Sequence, residues 1–426
     1  MNLTNQRKEI CGVFNKYNLL KTRINFFEIL ADLSVFAMIF SIFTSTDIPI
    51  TNITLVIFIS IYFLFCKKRI NIKAPFNVWS YIMVISYTIS YLMFPNNNNA
   101  LETYFTYLRT IIVGVFIYNY IMANHKNIEK TITFCIISGL YVAIKFFIDN
   151  NLANLSLAGT SISQFTIEGV NRNIISMELS ITAIFLFYRA KSRRKGYYVL
   201  FSICAIESFL TGSRKSVIWI AGGIIIYILI DGLVESKRRK STIKLLSSII
   251  LLFFIVIIFY ILIMKIPTLY NILGYRIEGL ISLITGKGQV EMSAVIRKNM
   301  ERFGMKMFWD KAILGGGFSY FATYSPWLTY SHNNYIETLV SFGLIGFIIH
   351  YSIYVYFIKN LLSKKNIIFN AFSSNVYIVL VIFPILMLIT DNAMISMDTK
   401  HFIVILAILF SVIEDSVRIY KSKNKI

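Results

Sequence analysis

Apolar runs of about 18 residues or more recur from one end of this chain to the other, and no other feature limits its fold so strongly. They cover 26–45, 48–66, 75–94, 104–122, 130–149, 173–189, 197–212, 215–231, 244–265, 333–358, 370–391 and 399–414. At 1.5 Å per helical residue, each is long enough, or nearly so, to cross about 30 Å of hydrocarbon. The pattern predicts an all-α polytopic membrane protein with about twelve transmembrane helices. Composition agrees: charged residues make up 15% of the chain, against roughly 25% in an average soluble protein. Mean hydropathy is +0.66. A soluble surface cannot be built from so little charge.

The net charge of +21 invites a nucleic-acid reading, but the distribution of the cations argues against it. They sit in short clusters between apolar runs: Lys67-Lys68-Arg69, Lys126 to Lys130, Lys191-Ser192-Arg193-Arg194-Lys195, Lys237-Arg238-Arg239-Lys240 and Lys364-Lys365. The C-terminal tail adds Arg418, Lys421, Lys423 and Lys425. The alternate hairpins, such as Thr46 to Pro49 and Pro95-Asn96-Asn97-Asn98-Asn99, carry no Lys or Arg. With the N- and C-termini cytoplasmic, every cluster falls inside, as the positive-inside rule requires. The four cysteines show no paired spacing, so no disulfide framework is expected. The first apolar run lacks a small-residue cleavage site, so no cleavable leader is expected. Residues 1–426 read as a single integral membrane domain.

Two outer segments are longer. The first, 150–172, is polar and rich in small residues. The second, 266–332, is a large extracytoplasmic loop holding Arg276, Lys287, Arg297, Lys298, Arg302, Lys306 and Lys311. Long loops escape the charge rule, yet seven cations on that side point to an anionic ligand. Within it, Ile296, Met300, Phe303 and Met307 recur at helical spacing, which predicts an amphipathic helix on the membrane face from Met292 to Lys311. Gly315-Gly316-Gly317 then breaks the helix, and Pro326 marks a further turn.

Of four histidines, His332 alone falls where this loop enters an apolar run. A neutral imidazole there, with an ordinary pKa of about 6.5, suits a general base. Its neighbours Asn333, Asn334, Tyr335 and Glu337 are candidates for binding sugar or orienting the ring. Arg214-Lys215, beside a Gly-Ser turn, place a cationic pair in a tight outer hairpin, where charges mark ligand paths. Arg297, Arg276, Arg302 and Arg172 are further cations on the same side. Arg109 and Lys145 are expected to pair with Glu102 and Asp149. No Walker sequence, dinucleotide fingerprint, zinc-ligand pair or outer Asp-x-Asp pair is present, so neither metal nor cofactor is expected. A base for a hydroxyl and an Arg clamp for a departing phosphate fit what is there.

His332-Asn333, followed after nine residues by Gly343-Leu344-Ile345-Gly346, resembles the hallmark of the O-antigen ligase and polymerase superfamily. Ser213-Arg214, the segment from Ser293-Ala294-Val295-Ile296-Arg297 to Phe308, and Ile313-Leu314-Gly315-Gly316-Gly317 agree in order, so the resemblance covers about 205–360. The string Ser331 to Glu337 with Gly343-Leu344-Ile345-Gly346-Phe347 is most similar to Wzy-type polymerases. Ligases tend to continue with a Thr and then a Tyr, where this chain has Phe347-Ile348-Ile349.

The resemblance implies a GT-C-like glycosyltransferase of the bacterial inner membrane, acting on the periplasmic face. Its donor and acceptor would both be undecaprenyl-diphosphate-linked oligosaccharides. His332 would take the acceptor proton, and Arg214 and Arg297 would hold the donor diphosphate. It also implies a chain-length-regulating co-polymerase as partner, alongside membrane lipids. The alternatives are a ligase acting on lipid A core and a transporter or flippase. The transporter is disfavoured because the chain shows no internal repeat and its notable charges gather at one face.

Overall fold

The computed structural model describes residues 26–44, 48–65, 70–150, 167, 169–192, 194–239, 242–285, 292–393 and 400–423. Cys11, Cys66, Lys67-Lys68-Arg69, Lys287 and most of the polar 150–172 segment lie outside the described residues. Among those described, the chain is helical throughout with no strand. The first nine helices are α1 (Phe26–Phe43), α2 (Ile48–Phe65), α3 (Pro75–Met93), α4 (Ala100–Ala123), α5 (Lys126–Asp149), α6 (Arg172–Ser192), α7 (Tyr197–Leu210), α8 (Arg214–Arg239) and α9 (Ile243–Lys265). After α9 come α10 (Tyr275–Thr285), α11 (Met292–Asp310) and a short α12 (Tyr320–Tyr324). The chain ends with α13 (Asn334–Ser363), α14 (Lys365–Ala371), α15 (Ser374–Asp391) and α16 (Lys400–Lys423).

Each of the twelve apolar runs lies on one of these helices. Eight helices, α1, α4, α5, α6, α8, α9, α13 and α15, are long and apolar enough to cross a membrane. The other four fall short for separate reasons. α7 has only 14 residues, about 21 Å at the helical rise. The apolar part of α2 is the 15-residue stretch Ile50–Leu64. α3 carries Asn77, Ser80 and Ser90 on its buried side, and α16 carries Lys400 at its start and Glu414 and Asp415 within it.

Exposure separates the lipid-facing helices from the central ones. On α9, Leu251, Phe253, Phe254, Val256 and Ile258 all face outward, a surface tolerable only against hydrocarbon. On α16, every residue from His401 to Ile413 is buried. It packs along α4 at the centre of the bundle, where Phe76 and Phe357 meet Phe410. Trp219 of α8 is wholly buried and donates its indole N–H to Thr390 Oγ1 at 2.7 Å. Such a polar bond inside the bundle satisfies groups that lipid cannot.

The hydrogen bonds sort the connections into two ends. At one end Lys130 pairs with Asp32 at 2.6 Å, Arg189 with Glu129 at 2.9 Å, and Tyr118 with Glu414 at 2.5 Å. Tyr227 and Ser192 both reach Asn375 there. At the other end lie the α3–α4 turn, the α7–α8 hairpin, the 292–332 segment and the end of α15. Two expected pairs are not formed. Arg109 is held by Asn52 Oδ1 at 2.9 Å and Thr106 Oγ1 at 2.8 Å rather than by Glu102. Lys145 and Asp149 make no ion pair with each other. A hydroxyl or amide on a neighbouring helix satisfies a half-buried guanidinium without desolvating a second charge.

Candidate active site

Three segments meet at the second end, and each is built by local sequence. The α7–α8 hairpin turns at Gly212, whose φ of +66° a residue with a Cβ adopts only with strain. Thr211 Oγ1 donates to Ser208 O at 2.7 Å and accepts from Ser213 N at 3.2 Å. Ser213 Oγ donates to Asn173 Oδ1 at 3.0 Å, tying the hairpin to the start of α6, where Arg172 also lies. Arg214, the first residue of α8, donates from its guanidinium to Ser293 Oγ of α11 at 3.3 Å.

The expected amphipathic helix is α11, and it packs on the protein. Met300, Met307 and Phe308 are buried in a small core with Phe321, Ile336 and Val340. Ile296 stays exposed. Ser293, Arg297 and Glu301 follow at four-residue spacing and so share one face. Ser293 meets Arg214, and Glu301 accepts from Asn333 Nδ2 at 3.0 Å. The half-buried Arg297 therefore sits on the face running from the hairpin to the start of α13.

That start is tightly organised. Asn333 caps α13, its Oδ1 accepting from Tyr335 N at 3.0 Å and Ile336 N at 3.3 Å. Its Nδ2 donates to Glu301 and, at 2.8 Å, to Asn392 Oδ1. Both donors and both acceptor sites of the amide are thereby used. Asn334 Nδ2 donates to Tyr351 Oη at 3.0 Å and Asp391 Oδ2 at 3.2 Å. Tyr335 Oη donates to Leu388 O at 2.7 Å, and Glu337 Oε2 accepts from Ser331 N at 2.9 Å.

His332 is thus held on both sides of its turn, with a φ of +56° that is uncommon for a residue with a Cβ. Its ring lies 4.1 Å, centroid to centroid, from that of Tyr330. Burial, then the charges of Arg297 and Lys215, push the imidazole down to about 4. It is a neutral hydrogen-bond acceptor across the physiological range.

The two glycine motifs explain each other. α13 is broken at Gly343, with φ +64° and ψ −167°, and the freed backbone bonds to the segment after α11. Leu344 N donates to Ala312 O at 2.8 Å, Gly316 N to Val340 O at 2.9 Å and Gly317 N to Ser341 O at 2.9 Å. A Cβ at Gly343 would stand 2.3 Å from Ile313 O, and one at Gly315 2.4 Å from Ser341 C. Only glycine admits two main chains this close.

The structure therefore brings Arg214, Arg297 and His332 to one place, with Arg172 near the hairpin. Arg302 is exposed on α11. Arg276 belongs to α10, and its side chain lies outside those described. Lys215, paired with Arg214 in the sequence, is close enough to His332 for its charge to act on the imidazole. Sequence reasoning missed Glu301, whose signal is its spacing of four from Arg297. Nothing in the sequence pointed to Asn392 or Tyr330.

Residues 197–351, from α7 through the break in α13, match the family model described as O-antigen ligase. That stretch is similar to the O-antigen ligase family. No curated protein matches the chain. The match encloses the Arg214 hairpin, α11, His332 and Gly343, so it contains all three segments of the site. Members of that family are glycosyltransferase-like enzymes, and the apolar helices around the matched segment are those of a multi-pass membrane protein.

Proposed function

We propose that the protein is a surface-polysaccharide polymerase of the bacterial inner membrane, with its site on the periplasmic face and both termini in the cytoplasm. It transfers the growing glycan from undecaprenyl diphosphate to the terminal sugar of the next undecaprenyl-diphosphate-linked repeat. The observation that carries this reading is one neutral imidazole set beside a group of cations, His332 with Arg214, Lys215 and Arg297. In the reaction the acceptor hydroxyl oxygen attacks the anomeric carbon of the donor as its bond to the diphosphate oxygen breaks. The electron pair leaves with undecaprenyl diphosphate, and His332 accepts the hydroxyl proton. Arg214 and Arg297 stabilise the departing charge, which is the larger catalytic share in a site of low dielectric. This assigns to arginine the work a divalent metal does elsewhere. Asn333, Asn334 and Tyr335, committed to protein partners, position His332 rather than touch glycan.

The name of the matched family favours a second reading, a ligase using the same donor chemistry with lipid A core as acceptor. A gel of surface glycan from a deletion strain, with its undecaprenyl-linked pool, separates the two. Core bearing a single repeat, with the ladder lost, is the expected result. His332→Ala should reproduce it, since removing a general base costs about 10²–10⁴ in rate. Bare core with long chains stranded on undecaprenyl would establish the ligase, and an unchanged ladder would sink both.

A further inference from the structure

Beside His332 lies a second space that the reaction as described leaves unused. A cleft of about 490 Å³ opens between the α3–α4 turn, the start of α4 and the 318–330 segment. That volume is within the usual range of small-ligand sites, roughly 300–1,000 Å³. Tyr330 belongs to both places: it lines the cleft, and its ring lies against His332. A ligand in the cleft is therefore one side chain away from the base.

The lining identifies the ligand class. Among the described residues it contains no Arg, Lys or His, and its charged members are the carboxylates Glu102 and Glu337. A diphosphate would be repelled here, whereas the cations that suit it surround His332. The cleft instead mixes the amide of Asn98 and the hydroxyls of Thr106 and Thr329 with the rings of Tyr107, Phe318 and Tyr330. Sugars present this same combination, hydroxyls at the rim and C–H groups across one face. Carboxylate, amide and hydroxyl groups can take the former, and aromatic faces the latter.

The walls are also fixed in advance. Asn97 Nδ2 donates to Gly316 O at 2.8 Å and Phe318 O at 2.9 Å, and Asn98 N donates to Thr323 Oγ1 at 3.0 Å. Thr103 and Ser319 share a hydroxyl bond of 3.0 Å. Under them Phe318 packs against Tyr87, Tyr107 and Phe342. Four non-glycine residues among those described have positive φ. Asn99, Ser319 and Leu328 line this cleft, and the fourth is His332. Strained backbone gathers where a ligand site must hold its shape.

We propose that this cleft binds the acceptor sugar and delivers its hydroxyl past Tyr330 to His332. The proposal rests on the glycosyltransferase reading and holds for either acceptor, repeat unit or core. Proteoliposomes of the full chain, given the strain's own undecaprenyl-linked glycan, provide the test through two variants. Ala322→Trp fills the cleft, and Glu102→Gln removes a hydroxyl acceptor without adding bulk. Each should raise the acceptor KM, by about tenfold for Ala322→Trp, while the donor KM stays within about twofold. Saturation-transfer NMR with the free oligosaccharide released from that glycan gives a readout independent of turnover. Saturation seen with the wild type and lost in Ala322→Trp supports the site even if no glycan transfer occurs, in which case the transferase reading alone fails. Equal saturation, none with the wild type, or acceptor and donor KM rising together would overturn the site even while transfer proceeds.

Discussion

His332 is a weaker base in the substrate-free protein than a free imidazole, and two of the reasons are cations that would serve a diphosphate. Burial, Arg297 and Lys215 all disfavour its charged form. A donor diphosphate brought beside those cations offsets their field, so its arrival raises the imidazole pKa and with it the drive to accept a proton. The sign of the pH effect follows. Protonated His332 cannot accept the hydroxyl proton, so activity is lost as pH falls through its pKa and is level above it. Since kcat/KM reports the free enzyme and kcat the complex, the acid limb of kcat/KM for the donor should lie near pH 4. The limb of kcat should lie at higher pH. Lys215→Met should move the kcat/KM limb upward, toward the ordinary value. Coincident limbs, or a limb indifferent to Lys215, would remove His332 as the base. At this scale the sequence singled out His332 and Arg214, because a cation or a histidine at a membrane edge is costly and so conspicuous, whereas Arg297 stood out only through the family resemblance. The sequence hid the role of Asn333, since a helix cap and a ligand contact use the same amide.

Two elements frame the site, the broken helix α13 and the segment that threads against its break. Gly343→Ala should therefore act on stability as well as on activity. At φ +64° and ψ −167° Gly343 lies in a region essentially reserved for glycine, where a Cβ costs on the order of 1–3 kcal/mol, and here the Cβ also meets Ile313 O at 2.3 Å. A drop of several degrees in the melting temperature of the detergent-solubilised protein is expected. Gly196→Ala is the control, because its φ of −57° is ordinary and nothing stands within 4 Å of its Cβ. If Gly343→Ala melts with the wild type, the break is not held by that close approach. The sequence marked Gly315-Gly316-Gly317 as a helix break and Gly343 only as part of a family motif inside an apolar run, and it could not pair them, because 312–317 and 340–345 meet only in three dimensions. The helices themselves were legible because hydrocarbon demands length and apolarity together. Where neighbours replace lipid, as around α16, the demand relaxes, and there the span count was hardest to read. Lateral partners were the least legible, as Arg109 with Asn52 shows.

For the molecule as a whole, the arrangement of charge carries a prediction about sidedness. The basic connections expected in the cytoplasm gather at one end of the bundle, with Lys130–Asp32 and Arg189–Glu129 among them, and His332 lies at the other. An insertion bias that keeps Lys and Arg in short loops on the cytoplasmic side predicts the site outside, where a lipid-linked glycan would meet it. The long 292–332 segment could hold its cations there because long loops escape that bias. Single cysteines in a background lacking Cys11, Cys66, Cys135 and Cys204 test this directly. Tyr324→Cys, 60% exposed at the site end, should react with a membrane-impermeant maleimide added to intact spheroplasts. Gly196→Cys, in the basic turn between α6 and α7, should react only after lysis. Reversed labelling would place the site in the cytoplasm and remove the periplasmic reaction, whereas labelling of both from outside would mean that the two ends do not lie on opposite sides of the membrane.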